Sequence, residues 1–114
     1  MSEQKQLHIL WTNADVDTSL HMVLMYATNA MLRHFWDGVT VIIWGGTAKL
    51  AAENDAVRQK MALAMHAGVR FSACTACAEN LGVAGELRAM GVEVISWGQP
   101  LTELLQSGAP LLTV

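Results

Sequence analysis

Val69-Arg70-Phe71-Ser72-Ala73-Cys74-Thr75-Ala76-Cys77-Ala78-Glu79-Asn80-Leu81-Gly82-Val83 changes character at Cys74. Up to Ala73 it is a short β-rich run. From about Ala76 the spacing turns helical and continues to Met90, with Gly91 beyond it. A strand that passes through so short a turn into a helix is the first half of a parallel crossover unit. Four similar β-rich runs lie on either side of it: Leu7 to Trp11, Val39 to Trp44, Glu93 to Trp97 and Leu111 to Val114. Helical patterns fill the gaps. Asp15-Val16-Asp17-Thr18 offers capping oxygens ahead of Leu20, Val23, Leu24, Ala27 and Met31, and Gly38 closes that unit. A second region opens at Gly45-Gly46-Thr47, passes a break at Asn54-Asp55, and runs through Val57, Met61, Ala64 and Met65 to Gly68. Pro100 suits the first turn of a last helix, Leu101 to Gln106, which Gly108 and Pro110 end.

Strands that alternate with helices through short loops predict a three-layer α/β/α sandwich around a mostly parallel five-stranded sheet, with right-handed crossovers. A flavodoxin-like strand order of 2-1-3-4-5 is the default expectation. With 114 residues and no internal repeat, low-complexity segment or linker, residues 1–114 are expected to form one domain.

Hydrophobic residues make up 53% of the chain and charged ones 15%, an apolar excess that predicts burial of some surface against another subunit. The longest apolar stretches, such as Val41 to Trp44, are far shorter than the roughly 20 residues a membrane-spanning helix needs. The polar start, Met1-Ser2-Glu3-Gln4-Lys5-Gln6, lacks the basic and apolar segments of a secretory signal, so a cytoplasmic location is expected. A net charge of -3 with dispersed Lys and Arg leaves no electrostatic footprint for nucleic acid.

Functional groups in parallel sheets gather at the C-terminal ends of strands, which is where Cys74 falls, with Cys77 in the first turn of the next helix. Helix N-termini favour thiolate, the nucleophilic form, making Cys74 and Cys77 the candidate catalytic pair. Small thiols packed at a strand-to-helix junction, with Thr75 as a cap, would explain the same residues. C-x-x-C is also half a zinc site, but His8, His21, His34 and His66 form no second pair, so neither a metal nor another cofactor is expected. Trp11, Trp44 and Trp97 end predicted strands; together they would rim an apolar pocket around the thiol, a reading compatible with the alternative of core or interface packing. Gly45 and Gly46 open a turn whose N–H groups suit a small anion, with Lys49 as the nearby cation. The spacing there is not that of a nucleotide P-loop. Asn13, Asp15 and Asp17 read first as helix caps, with Asn13 the candidate polar contributor to the cleft.

Two segments, Val41-Ile42-Ile43-Trp44-Gly45-Gly46-Thr47-Ala48-Lys49-Leu50 and the stretch from Gly68 through Cys74 and Cys77 to Val83, resemble the DsrE/DsrF-like family, which includes TusD-type sulfur-relay subunits. The resemblance covers nearly the whole chain. It implies a DsrE-like sheet, a sulfur-carrier or sulfurtransferase-like role, and acceptance of sulfane sulfur as a persulfide on Cys74, which matches the family's sulfur-carrying cysteine. It also implies donor and acceptor proteins as partners and a homo-oligomer, trimer or hexamer. Cys77 departs from a simple carrier, because a second thiol could attack the persulfide, release sulfide and leave a disulfide. A dithiol redox protein, or a noncatalytic oligomeric module that binds a small ligand or partner, are the alternatives.

Overall fold

The computed structural model describes residues 5–114; Met1-Ser2-Glu3-Gln4, on which the reading of the N-terminus largely rests, lie outside the described residues. In chain order the strands are β1 (Gln6–Trp11), β2 (Gly38–Ile43), β3 (Arg70–Cys74), β4 (Glu93–Ile95) and β5 (Leu111–Thr113). All four pairings are parallel, in the order β4-β3-β2-β1-β5. This replaces the expected order 2-1-3-4-5. The chain starts in β1 and steps outward in one direction through β2, β3 and β4, then returns across the whole sheet to β5.

That path fixes the layers. Right-handed crossovers put the first three connections on one face and the returning one on the other. The first face therefore receives α1 (Val16–Thr18), a π-helical segment (Ser19–Leu24), α2 (Met25–Leu32), α3 (Thr47–Glu53), α4 (Asp55–His66), α5 (Thr75–Asn80) and α6 (Ala84–Ala89). Among the described residues, only α7 (Gly98–Gln106) crosses the second face.

Side chains alternate across a strand with period two, and burial follows that alternation. Leu7, Ile9 and Trp11 of β1, Val39, Val41 and Ile43 of β2, and Phe71 and Ala73 of β3 are buried in the main core with Leu24, Val57, Met61 and Leu87 from the helices. The opposite face carries a second, smaller cluster in which Ile42, Cys74 and Trp97 are buried among Leu10, Trp44, Ile95, Leu101 and Leu104. None of the residues of α7 is fully buried, so this helix lies on the sheet as a partial cover.

Two helices differ from the sequence pattern. The expected continuous helix from Ala76 to Met90 is divided into α5 and α6, because Gly82 adopts φ +71, a left-handed conformation that stops an α-helix. The first helix widens into the π-helical turn at Ser19–Leu24, which hydrophobic spacing at period 3.6 does not distinguish from an α-helix. No helix among the described residues is long and apolar enough to cross a membrane.

Candidate functional site

Cys74 is both the last residue of β3 and the residue that leads into α5, with extended backbone angles of φ -68 and ψ 125. Alternation along β3 points its side chain to the α7 face, where it is 7% exposed beside Ile42 and Trp97. Cys77 follows within the first turn of α5 and is half-buried, touching both clusters. Both are free thiols.

The turn after β2 reaches the same place. Gly45 sits at φ +73, a backbone state that side chains strain, and its N–H donates to Cys77 Sγ at 3.2 Å. Thr47 fastens this turn: its buried hydroxyl donates to the Trp11 carbonyl oxygen (2.8 Å) and accepts from the Trp44 N–H (3.2 Å). The C-terminal ends of β1, β2 and β3 are thereby tied around the cysteine pair.

The electrostatics of Cys77 run against the thiolate expectation. Burial pushes its thiol above the ordinary cysteine range. The Gly45 N–H pulls the other way, while Cys74, as a neighbouring charge and as a hydrogen-bond partner, adds to the rise. The helix contribution is small, since α5 has only six residues. Cys77, in contact with Cys74, therefore gives up its proton less readily than an ordinary cysteine.

The expected tryptophan rim is divided between the two faces. Trp44 and Trp97 lie with Cys74 on the α7 side. Trp11 shares the face of Leu7 and Ile9, has no exposed surface, and donates its indole N–H to Ser19 Oγ (3.1 Å) and the Asn13 carbonyl oxygen (3.2 Å). The period of two sends it to the core; as the chain stands it cannot line a pocket at Cys74. Asn13 is exposed and its Oδ1 accepts the Asp15 N–H at 2.9 Å, so it shapes the turn. Asp15 Oδ2 accepts from the Thr18 N–H (2.9 Å) and hydroxyl (2.8 Å), bonds that hold its carboxyl below the usual carboxylate range. Lys49 is exposed on α3, in a shallow groove of about 360 Å³ shared with Gly46, Leu50, Glu53 and Asn54. Neither cysteine lines that groove. Of the proposed ligand-binding residues, the structure gathers Trp44, Gly45 and Trp97 near the thiols.

Sequence reasoning did not pick out the lower half of the same sheet face. Below α7 lies a cleft of about 610 Å³ into which His8, Thr40, Arg70, Ser72, Glu93 and Trp97 project. Its signal in the sequence is the polar half of the strand alternation: His8, Thr40, Arg70 and Ser72 interrupt otherwise apolar runs, two of them at the second position from an apolar neighbour on the same face. Trp97 Nε1 donates to Ser72 Oγ (2.7 Å), which donates to Glu93 Oε1 (3.0 Å). Among the described residues no group of three or more His, Cys, Asp or Glu side chains is arranged to hold a metal.

No protein-family model and no curated protein matches the chain. Among solved structures, a conserved protein of unknown function from Bacteroides thetaiotaomicron, BT1422, is similar at TM-score 0.94 and 36% identity, over 96% of this chain and 95% of that one. The ychN protein from E. coli matches at TM-score 0.71 and 16% identity over 98% of this chain and the whole of its own. MTH1491 from Methanobacterium thermoautotrophicum, also of unknown function, matches at TM-score 0.76 and 15% identity over the same shares. The latter two carry the fold alone. The chain has the DsrE/YchN-like fold and, by its identity with BT1422 over nearly its full length, belongs to the same family as that protein.

Proposed function

We propose that the chain is a sulfur carrier of the sulfur-relay type, which accepts sulfane sulfur as a persulfide on Cys74. The observation that carries this reading is the placement of Cys74 at the junction of β3 and α5, packed against Trp97, with the Cys77 thiol, which burial raises, beside it. In the loading step Cys74 thiolate attacks the outer sulfur of a donor persulfide. The donor S–S bond breaks, a new S–S bond forms on Cys74, and the donor leaves as a thiolate, with the Cys74 proton passing to solvent. Handover is the same displacement in reverse, an acceptor thiolate taking the terminal sulfur and regenerating Cys74. Cys77 would end carriage only by attacking Cys74 Sγ, expelling hydrosulfide and leaving the Cys74–Cys77 disulfide. That attack needs the Cys77 thiolate, so a raised thiol slows it at neutral pH and lengthens the life of the persulfide. The same reading includes a reducing, cytoplasmic setting, protein donors and acceptors, and assembly as a homo-oligomer in the manner of TusD-type subunits.

Contact between the thiols supports a second reading, a dithiol redox protein that closes the Cys74–Cys77 disulfide reversibly. Intact mass measurement separates the two. The reduced protein and its Cys74→Ser and Cys77→Ser variants are treated with a persulfide donor and weighed over a pH series. An adduct of about 32 Da on the wild type and on Cys77→Ser, absent from Cys74→Ser, is expected for carriage. Its decay should quicken as pH rises and deprotonates Cys77, and should be abolished in Cys77→Ser. Undiminished loading of Cys74→Ser would sink the carrier reading, and a prompt loss of about 2 Da without an adduct would favour redox chemistry.

A further inference from the structure

The cleft below α7 has the features of a ligand site rather than of an idle surface. Its volume, about 610 Å³, falls within the range of small-molecule pockets, roughly 300–1,000 Å³. Its walls combine apolar surface from Ile95 and the Trp97 ring with a few polar groups. The strand register arranges those groups in two rows. His8, Thr40 and Arg70 lie side by side on β1, β2 and β3, and one repeat higher Ser72 faces Glu93 across β3 and β4.

Arg70 and Glu93 are the charged side chains lining this cleft. They belong to adjacent strands two residues out of register, a separation of about 8 Å from a rise of about 3.3 Å per residue and a strand spacing of about 4.8 Å. They form no ion pair with each other; among the described residues the pair within range is Arg58–Glu86. Glu93 is instead held by the Ser72 hydroxyl through Oε1, which leaves its other oxygen available. Ser72 is itself fixed by the Trp97 indole, so the carboxylate, the hydroxyl and the aromatic wall form one connected unit. His8 completes the floor. Its ring meets Trp97 edge-on at 6.3 Å, and its Nδ1 is enclosed with no hydrogen-bond partner. An imidazolium needs partners for both N–H groups, so the enclosed nitrogen keeps His8 neutral, in line with a titration lowered by burial. Among the described residues, Arg70 is then the sole positive charge on the cleft wall and Glu93 the sole negative one.

We propose that this cleft binds a small zwitterion of the amino-acid type, its carboxylate on Arg70, its ammonium on Glu93 and its side chain against the Trp97 ring. A planar guanidinium takes a carboxylate through paired hydrogen bonds, and a carboxylate already anchored on one oxygen offers a directed acceptor to an ammonium. An anion alone would leave Glu93 opposing it, and a cation alone would face Arg70. The two unpaired charges at one site therefore select a ligand that carries both. Trp97 also packs against Cys74, so occupation of the cleft is felt at the thiol through the shared indole.

The test follows the Trp97 indole N–H resonance of the 15N-labelled full chain, assigned with Trp97→Phe, while each common protein amino acid is added separately. A saturable shift is expected for at least one of them. N-acetylation, which removes the ammonium, and amidation, which removes the carboxylate, should each weaken that ligand by at least about tenfold, the loss of one charge-assisted hydrogen bond. Arg70→Gln and Glu93→Gln change exposed side chains and should retain the folded spectrum while losing affinity to a similar degree. The absence of any saturable shift, or equal binding of the blocked derivatives or by the two variants, would overturn the proposal.

Discussion

The two faces of the sheet are built from the same strands and do different work. On the face covered by α1 to α6, every inward residue of β1 and β2 is apolar and buried, down to Trp11 with its indole satisfied by Ser19 and Asn13. On the other face a single helix covers Leu10 and Ile42 and leaves His8, Thr40, Arg70, Ser72 and Glu93 along an open cleft. Both cysteines, Trp44 and Trp97 stand where this second face meets the strand ends. A face sealed by many helices can hold only side chains that need no water or ligand. The lightly covered face tolerates the charges of Arg70 and Glu93 because solvent still reaches them.

If stability resides on the first face, truncation there should dominate. Leu24→Ala, at a site 1% exposed, is expected to cost about 2–5 kcal/mol in urea unfolding. Leu104→Ala on α7, half-buried over the small cluster, should cost about 1 kcal/mol by the same measurement. Equal losses would break the comparison.

Trp97→Phe sharpens it next. Removing the indole N–H takes away the donor to Ser72, which is 3% exposed, at about 1–3 kcal/mol. Because the ring also covers Cys74, the rate of Cys74 alkylation should rise in the same variant, whereas Leu24→Ala should leave it unchanged under folding conditions.

Gly45→Ala introduces a side chain at φ +73, into open space, so backbone strain is its main penalty, about 1–2 kcal/mol. Any shift of the turn weakens the Gly45 N–H contact with Cys77, whose thiol should then titrate still higher; thiol absorbance against pH would read this.

The smallest effect concerns His8. Its folded titration lies below the ordinary histidine value, so between the two values the unfolded chain binds more protons. Stability from this source is present near neutrality and falls as pH drops toward the folded value. His8→Gln should flatten the change in urea midpoint over that mildly acidic range; an unchanged slope would mean that His8 is not enclosed as described.

Much of this division was legible in the residues themselves. The five strands lie within two residues of their expected ends, because apolar runs bounded by glycine and polar turns permit few other conformations. Cys74 at the end of β3 followed from the abrupt change from strand to helix spacing after Ala73. The split between α5 and α6 was less visible, since Gly82 inside a helical pattern is tolerated unless its φ turns positive. The three tryptophans looked alike as strand-end residues, although the strand parity of Trp11 already gave it to the face of Ile9.

By itself, the sequence determined the element types, the parallel crossovers and the position of the cysteine pair, because these depend on local periodicity and on the handedness of short connections. Only the tertiary structure decided the order β4-β3-β2-β1-β5 and, through it, which face has a single covering helix. It also decided that Gly45 meets Cys77 across 32 positions of chain, and that Ser72, Glu93 and Trp97 join beside the cleft. These contacts link residues far apart in the chain, and their formation depends on how the strands align in space, which no local pattern of residues encodes.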